Sequence, residues 1–155
     1  MNDVAETAVH EGLDEVVAAL GLKGTVEVES DGEVVTGTVH GEDLGLFIGR
    51  HGQTIDAIQH VAFRIALARG AGDEGDLRVV IDAEGYRARR AEALHRIADQ
   101  AAEDARRYGR PVALDAMTAS ERKLVHEYLR DRGDVETYSE GDEPDRHLVI
   151  APLVT

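Results

Sequence analysis

The segment that most constrains this chain is Gly49-Arg50-His51-Gly52, a turn with a glycine at each end, set between two stretches of helical periodicity. Before it, Glu42 to Ile48 reads as a short turn of helix. After it, Gln53 to Arg69 places Ile55, Ile58, Ala62, Ile65 and Ala66 on one helical face. Glycine supplies backbone conformations that other residues reach only with strain, so the chain can turn sharply and approach a ligand closely. The amides of such a turn, with the positive end of the following helix behind them, suit a phosphate. Arg50 adds a charge and His51 a donor or a stacking face, while Ile48 and Ile55 are placed to pin the turn to the core. A lone G-x-x-G segment is common, and in isolation it is as readily a plain helix connection. Its meaning depends on what surrounds it.

Val4 to Leu20 carries Val9, Leu13, Val16, Val17 and Leu20 at helical spacing, and Gly21 and Gly24 end the helix. Thr25 to Ser30 alternates as a strand. Asp31-Gly32 reads as a two-residue hairpin turn with both positions at positive φ, and Glu33 to His40 is the return strand. Gly70 to Gly75 is a loop and Leu77 to Ile81 a short buried strand. The predicted order over residues 1–84 is helix, strand, strand, helix, helix, strand.

A second unit is predicted over residues 85–155, the boundary falling near Asp82 to Gly85. Tyr86 to Tyr108 is a long helix with Ala91, Leu94, Ile97, Ala98, Ala101 and Ala105 as its apolar stripe, and Gly109 at its C-cap. Pro111 to Leu114 is a short strand. Thr118-Ala119-Ser120-Glu121 matches a capping box and opens a helix running to about Asp131. Val135 to Ser139 and His147 to Ala151 form a strand pair around the acidic loop Glu140 to Asp145. Both units are therefore expected to be α+β.

The formal net charge is −14, which opposes non-specific binding to nucleic acid, since that affinity comes mainly from Lys and Arg meeting phosphates. The charge is unevenly placed. Residues 1–45 hold eleven acids and one base, whereas residues 46–70 hold three arginines and one acid, and residues 85–110 seven arginines and four acids. Bases concentrate in the middle and acids at the ends, a pattern that allows a local basic surface and selective rather than broad binding. Cysteine is absent, which excludes disulfides, thiolate metal sites and a thiol nucleophile. The acidic N-terminus and the lack of a long apolar run predict a soluble, cytoplasmic protein without membrane insertion. Aromatic residues make up 4%, too few for the stacking platforms of RRM or OB-type modules. No Lys-Ser or Lys-Thr follows the second glycine, so a Walker loop is excluded, and two glycines without a strand leading into them do not make a dinucleotide fingerprint.

With the G-x-x-G turn in that element order, residues 1–84 resemble a KH domain of the bacterial, type II arrangement (αββααβ). The resemblance implies that the turn clamps about four nucleotides of single-strand backbone beside an apolar groove. In the second unit, Arg122 and His126 are four apart on one helix face, with Arg130 continuing it and Lys123 close by. An Arg–His pair suits a phosphate, though by spacing alone it is as readily an ordinary helix surface. The segment Met117 to Leu129 resembles the R-three-H domain, named for its Arg-x-x-x-His pair, a small α+β unit with helices on a three-stranded sheet that binds single-stranded nucleic acid. A KH domain followed by this domain is similar to the Jag family of bacterial RNA-binding proteins, also called the SpoIIIJ-associated or KhpB family. Many members carry a further N-terminal Jag domain, whereas this sequence starts at the KH helix, so a member without it is expected and roles tied to it are not carried over.

The resemblance implies single-stranded RNA as partner, RNA-chaperone or post-transcriptional work linked to cell shape, cell wall organisation and division, and pairing with a small single-KH protein. The RNA-binding residues expected are Ile48, Gly49, Arg50, His51, Gly52, Arg122, Lys123, His126 and Arg130. No cofactor, metal or catalytic residue is expected. The seven histidines are scattered, Ser120 serves a helix start, and His126 with Glu121 or Glu127 lacks a pocket-forming pattern. The arginines Arg87, Arg89, Arg90, Arg96, Arg106 and Arg107 are a solvated helix face or an extension of the RNA path. The competing reading is a protein-interaction adaptor with little RNA binding, motivated by the net charge of −14.

Overall fold

The alternation at Thr25 to Ser30 is realised as β1 (Gly24–Ser30), paired antiparallel with β2 (Val34–Gly41) in the computed structural model, which describes residues 3–153. The chain divides into two units, Met1–Arg87 and Ala88–Thr155, each with its own hydrophobic core. Both are α+β, in the element orders expected from the sequence.

In the first unit α1 (Asp3–Ala19) precedes the hairpin, and α2 (Gly45–Ile48), α3 (Gln53–Ala68) and β3 (Arg78–Ala83) follow it. The sheet order is β1-β2-β3, with β2 and β3 parallel and Gly37 opposite Ile81. Parallel neighbours need a crossover connection. Here it consists of α2, the glycine turn and α3, so the turn is fixed at both ends by elements that belong to the core. Val9 and Leu13 of α1, Val35 and Val39 of β2, Phe47 of α2, Ile55, Ala62 and Ala66 of α3 and Ile81 of β3 are all buried. Gly37 sits where α1 crosses the sheet: a Cβ there would lie 2.6 Å from Leu13 Cδ1 and 2.8 Å from Val9 Cγ1.

Two local expectations are corrected. The hairpin turn does not place Asp31 at positive φ; only Gly32 takes that conformation. Asp31 instead turns its carboxylate onto the chain, Oδ1 accepting from the amides of Val34 at 2.8 Å and Glu33 at 2.9 Å. These bonds hold its carboxyl below the usual carboxylate range. The short helix α2 begins at Gly45 rather than Glu42, because Asp43 adopts φ 53° and the buried Leu44 supplies the first helical carbonyl, accepting from Phe47 and Ile48.

The helix α4 (Tyr86–Tyr108) starts with the last two residues of the first unit, and its remainder forms the second unit with β4 (Val112–Ala113), α5 (Ala119–Leu129), β5 (Val135–Glu140) and β6 (His147–Pro152). Its sheet is antiparallel in the order β4-β6-β5. Leu94, Ala98, Ala101, Ala102 and Ala105 of α4 meet Val125 and Leu129 of α5 and Leu148 and Ile150 of β6. Ala102 thus takes the place expected for Ile97, which is 43% exposed. The capping box is present in both halves: Thr118 Oγ1 accepts from the Glu121 amide at 3.3 Å and Glu121 Oε1 from the Thr118 amide at 3.4 Å. Glu121 Oε2 also accepts from Arg90 Nε at 2.5 Å, which ties α5 to α4. No helix among the described residues is long and apolar enough to cross a membrane.

Candidate nucleic-acid interface

At the glycine turn the backbone conformation follows from residue size. Gly49 has φ 75° and ψ −179°, a region essentially closed to other residues, and a Cβ there would fall 2.1 Å from Thr54 Oγ1 and 2.8 Å from its amide nitrogen. Gly52 has φ 80°, and a Cβ on it would meet the Tyr86 hydroxyl at 3.0 Å. Between them Arg50 to Gly52 form a single 3-10 turn in which His51 is left-handed, with φ 54°. Ile48 is half-buried against the first core, and Arg50 is exposed and makes no ion pair with any described residue.

Gly52 is also the N-cap of α3 and offers no side chain to the first amides of that helix. The Gln53 amide donates to the Arg50 carbonyl, but no side chain caps the start of α3, where the positive end of the helix dipole favours an anion. Asp56 lies in the first turn of α3, where its charge would compete with a phosphate. It is instead paired with Arg87, Nη1 to Oδ1 3.1 Å. Arg87 further donates from Nη2 to Gln59 Oε1 at 3.1 Å and from Nε to the Ile81 carbonyl at 2.6 Å, so its guanidinium clamps α3 to β3. Arg87 and Arg90 thus do not lie on a freely solvated face; each is paired with an acid within the fold. An apolar groove runs between α1 and α3, lined by Leu13, Val16, Ala57, Ile58, Val61 and Ile65, with Thr54 at its edge. Val61 in that groove is 52% exposed.

In the second unit Arg122, Lys123 and His126 line one shallow notch, together with Thr137, Ser139 and Arg146 from the β5–β6 hairpin. Arg130, which closes α5, is exposed and is not among the residues lining the notch. Arg122 is 8% exposed. Its Nη1 donates to the Met117 carbonyl at 2.5 Å and the Arg146 carbonyl at 3.5 Å, and its Nη2 pairs with Glu143 Oε1 at 2.6 Å. The helical spacing that puts Arg122 beside His126 also directs it under the hairpin, so only part of its guanidinium edge is available to a ligand. His126 is exposed, and its Nδ1 is hydrogen-bonded to Thr137 Oγ1, which orients the ring and leaves Nε2 as its remaining polar atom. Lys123 also borders a second concavity with His95 and Tyr128, whose rings stack at 3.9 Å between centroids. Arg146, Thr137, Ser139 and Glu143 are absent from the residues expected from sequence. Their proximity to α5 is set by the pairing of Ser139 with Leu148 and Glu140 with His147, a register no short motif encodes. Among the described residues no three His, Asp or Glu side chains gather as a metal-ligand set.

A family model described as the KH domain of KhpA and KhpB matches residues 6–81, and one described as the R-three-H domain matches residues 92–152. Among the similar relatives of this chain are proteins named RNA-binding protein KhpB. The chain is 37% identical over 150 residues to that of Lactiplantibacillus plantarum, a match covering 97% of this chain and 46% of the relative. It is 33% identical to that of Clostridium symbiosum, covering 91% and 63%, and 33% identical to that of Bacillus subtilis, covering 90% and 66%. The chain thus spans between about half and two thirds of the length of these relatives.

Proposed function

Because the chain belongs to the KhpB family, whose members join a KH domain to an R-three-H domain, we propose that it binds single-stranded RNA and acts by binding rather than catalysis. The observation that carries this reading is the Gly49–Gly52 turn, with both glycines at positive φ, ending on the N-terminus of a 16-residue helix that has no side-chain cap and whose one first-turn acid is paired with Arg87. In this reading the KH module spans residues 1–84 and the R-three-H module residues 85–155. The turn amides, Arg50 and His51 hold backbone phosphates, with Ile48, Gly49 and Gly52 fixing the turn. Lys123, His126, the accessible edge of Arg122 and Arg130 hold a second stretch. The names of the relatives support RNA as the ligand. Post-transcriptional regulation tied to growth or division of the cell envelope, in the cytoplasm, is the finer role we assign.

Replacing Arg50 and His51 together with Asp places two negative charges where a phosphate sits. Affinity for single-stranded RNA should fall at least tenfold, roughly the weight of one charge-assisted contact, with the circular-dichroism spectrum and Tm retained. Unchanged affinity in the folded variant would remove the turn from the interface.

The second reading, a protein-interaction adaptor, draws on a different observation. The α1–α3 groove is apolar and exposes Val61, which suits docking of another protein, and a small single-KH protein is the partner we assign to it. Crosslinking in cells with sequencing separates the two: RNA recovered at residues 49–52 supports the first, a protein partner with no RNA the second.

A further inference from the structure

We propose that Glu143 is a built-in competitor for the anion site at Arg122: its carboxylate occupies the guanidinium edge that a phosphate of bound RNA takes, and a strand must displace it. This rests on the reading of the second unit as an RNA-binding module.

The two amino groups of Arg122 have different kinds of partner. Nη1 faces the Met117 and Arg146 carbonyls, backbone acceptors that no ligand replaces. Nη2 faces the Glu143 carboxylate at 2.6 Å, and that side chain is 61% exposed. Carboxylate and phosphate present a guanidinium with the same charge-assisted acceptor geometry, so they compete for one edge. Glu143 sits in the β5–β6 loop, where every residue from Gly141 to Asp145 is exposed. The loop is shaped by Arg146 Nη1 donating to the Gly141 carbonyl at 2.6 Å and by the Asp145 amide donating to the Asp142 carbonyl at 2.8 Å. Arg146 also lines the notch beside Lys123 and His126. The carboxylate is therefore held at the rim of the notch by its own loop.

Glu143 is the exposed partner and Arg122 the buried one, so the pair opens from the Glu143 side while Arg122 keeps its carbonyl contacts, and the carboxylate sets a threshold for binding. A free phosphate gains only one exchange at Arg122. A strand that also reaches Lys123 and His126 gains further contacts and displaces the carboxylate. Glu143 thereby tunes the site toward extended polyanions and against small anions.

The test uses the whole chain and a fluorescently labelled oligouridylate, read by anisotropy, with inorganic phosphate as a second titrant. Glu143→Gln keeps the side-chain shape and removes the charge; Glu143→Ala removes both. Each should tighten RNA binding about threefold to tenfold, the scale of removing one competing charge-assisted contact at Arg122, and make the complex more sensitive to inorganic phosphate. Asp142→Asn removes one charge from the same loop without touching Arg122 and should change affinity by less than about twofold, since an exposed charge without a partner contributes little. In an Arg122→Ala background, Glu143→Gln should give no further gain. The inference is overturned if the folded Glu143 variants bind no tighter than the parent, if Asp142→Asn matches them, or if the gain persists without Arg122. If neither parent nor variants bind any single-stranded RNA, the RNA reading itself fails, and the competitor with it.

Discussion

At the scale of single residues, Gly49 and His40 carry opposite lessons. Gly49 is legible in the sequence as a turn glycine, but the reason it admits no other residue is tertiary: the Thr54 side chain and amide fill the space a Cβ would need. Gly49→Ala should therefore cost about 1–3 kcal/mol from backbone strain, with a steric cost in addition, and calorimetry of the purified variant gives the test. His40 has no sequence signature. Its Nε2 lies 3.0 Å from Glu27 Oε2 and its Nδ1 3.2 Å from Glu84 Oε1, bridging β1 to the end of β3. The hydrogen bond to Glu27 raises its pKa, partial desolvation opposes this, and Glu84 adds to the rise. A folded value above the unfolded one, about 6.5, stabilises the fold fully below that pH and is lost as pH rises through the folded value. The urea midpoint should accordingly decline from mildly acidic to mildly alkaline pH, and His40→Gln should flatten the decline. A His40→Gln profile parallel to the parent's would refute the bridge.

At the scale of elements, helix starts and apolar faces are readable because they depend on neighbours in sequence. The capping box at Thr118 and Glu121 is such a case. Thr118→Ala should lower stability by about 1 kcal/mol, measurable as a reduced urea midpoint. What Glu121 adds through Arg90 is not readable, since the two residues lie 31 positions apart on different helices. Packing distance is equally hidden. Gly37 reads as a weak point in a strand, yet it is where α1 lies closest to the sheet. Gly37→Ala should cost about 1–3 kcal/mol by overpacking, whereas the same change at Gly45, where a Cβ meets nothing within 4 Å, should be much milder. Equal losses at the two positions would contradict the close approach. The hairpin turn shows the limit of local motifs: Asp-Gly is a turn signal, but Asp31 serves as a carboxylate acceptor while Gly32 alone takes positive φ.

At the scale of the whole molecule, charge decides the manner of binding. In the proposed binding of RNA, a chain of net charge −14 gains little from long-range attraction, so affinity would come from a few fitted contacts. Single-strand binding loses roughly 0.7 in the log–log salt slope per phosphate neutralised, and the few cations at the two sites predict a slope shallower than about −3. A steep slope measured by anisotropy across a salt series would point to an extended basic track instead. Each unit also buries its own core, so fragments covering residues 1–87 and 88–155 are each expected to unfold cooperatively when expressed alone. A fragment lacking a sigmoidal urea transition would disprove that independence.

The order of helices and strands, the glycine turn and the Arg122–His126 pairing are consequences of local spacing and residue size, and the sequence determines them by itself. Tertiary structure decides which of those groups remain available. It turns Arg87 and Arg90 inward onto Asp56 and Glu121, leaves Arg50 open, and brings Arg146 beside α5 through a strand register. It also lays Glu143 across Arg122. The physical reason is common to all of these: a charged side chain is committed by the nearest opposite charge or carbonyl in space, and that neighbour comes from a distant part of the chain.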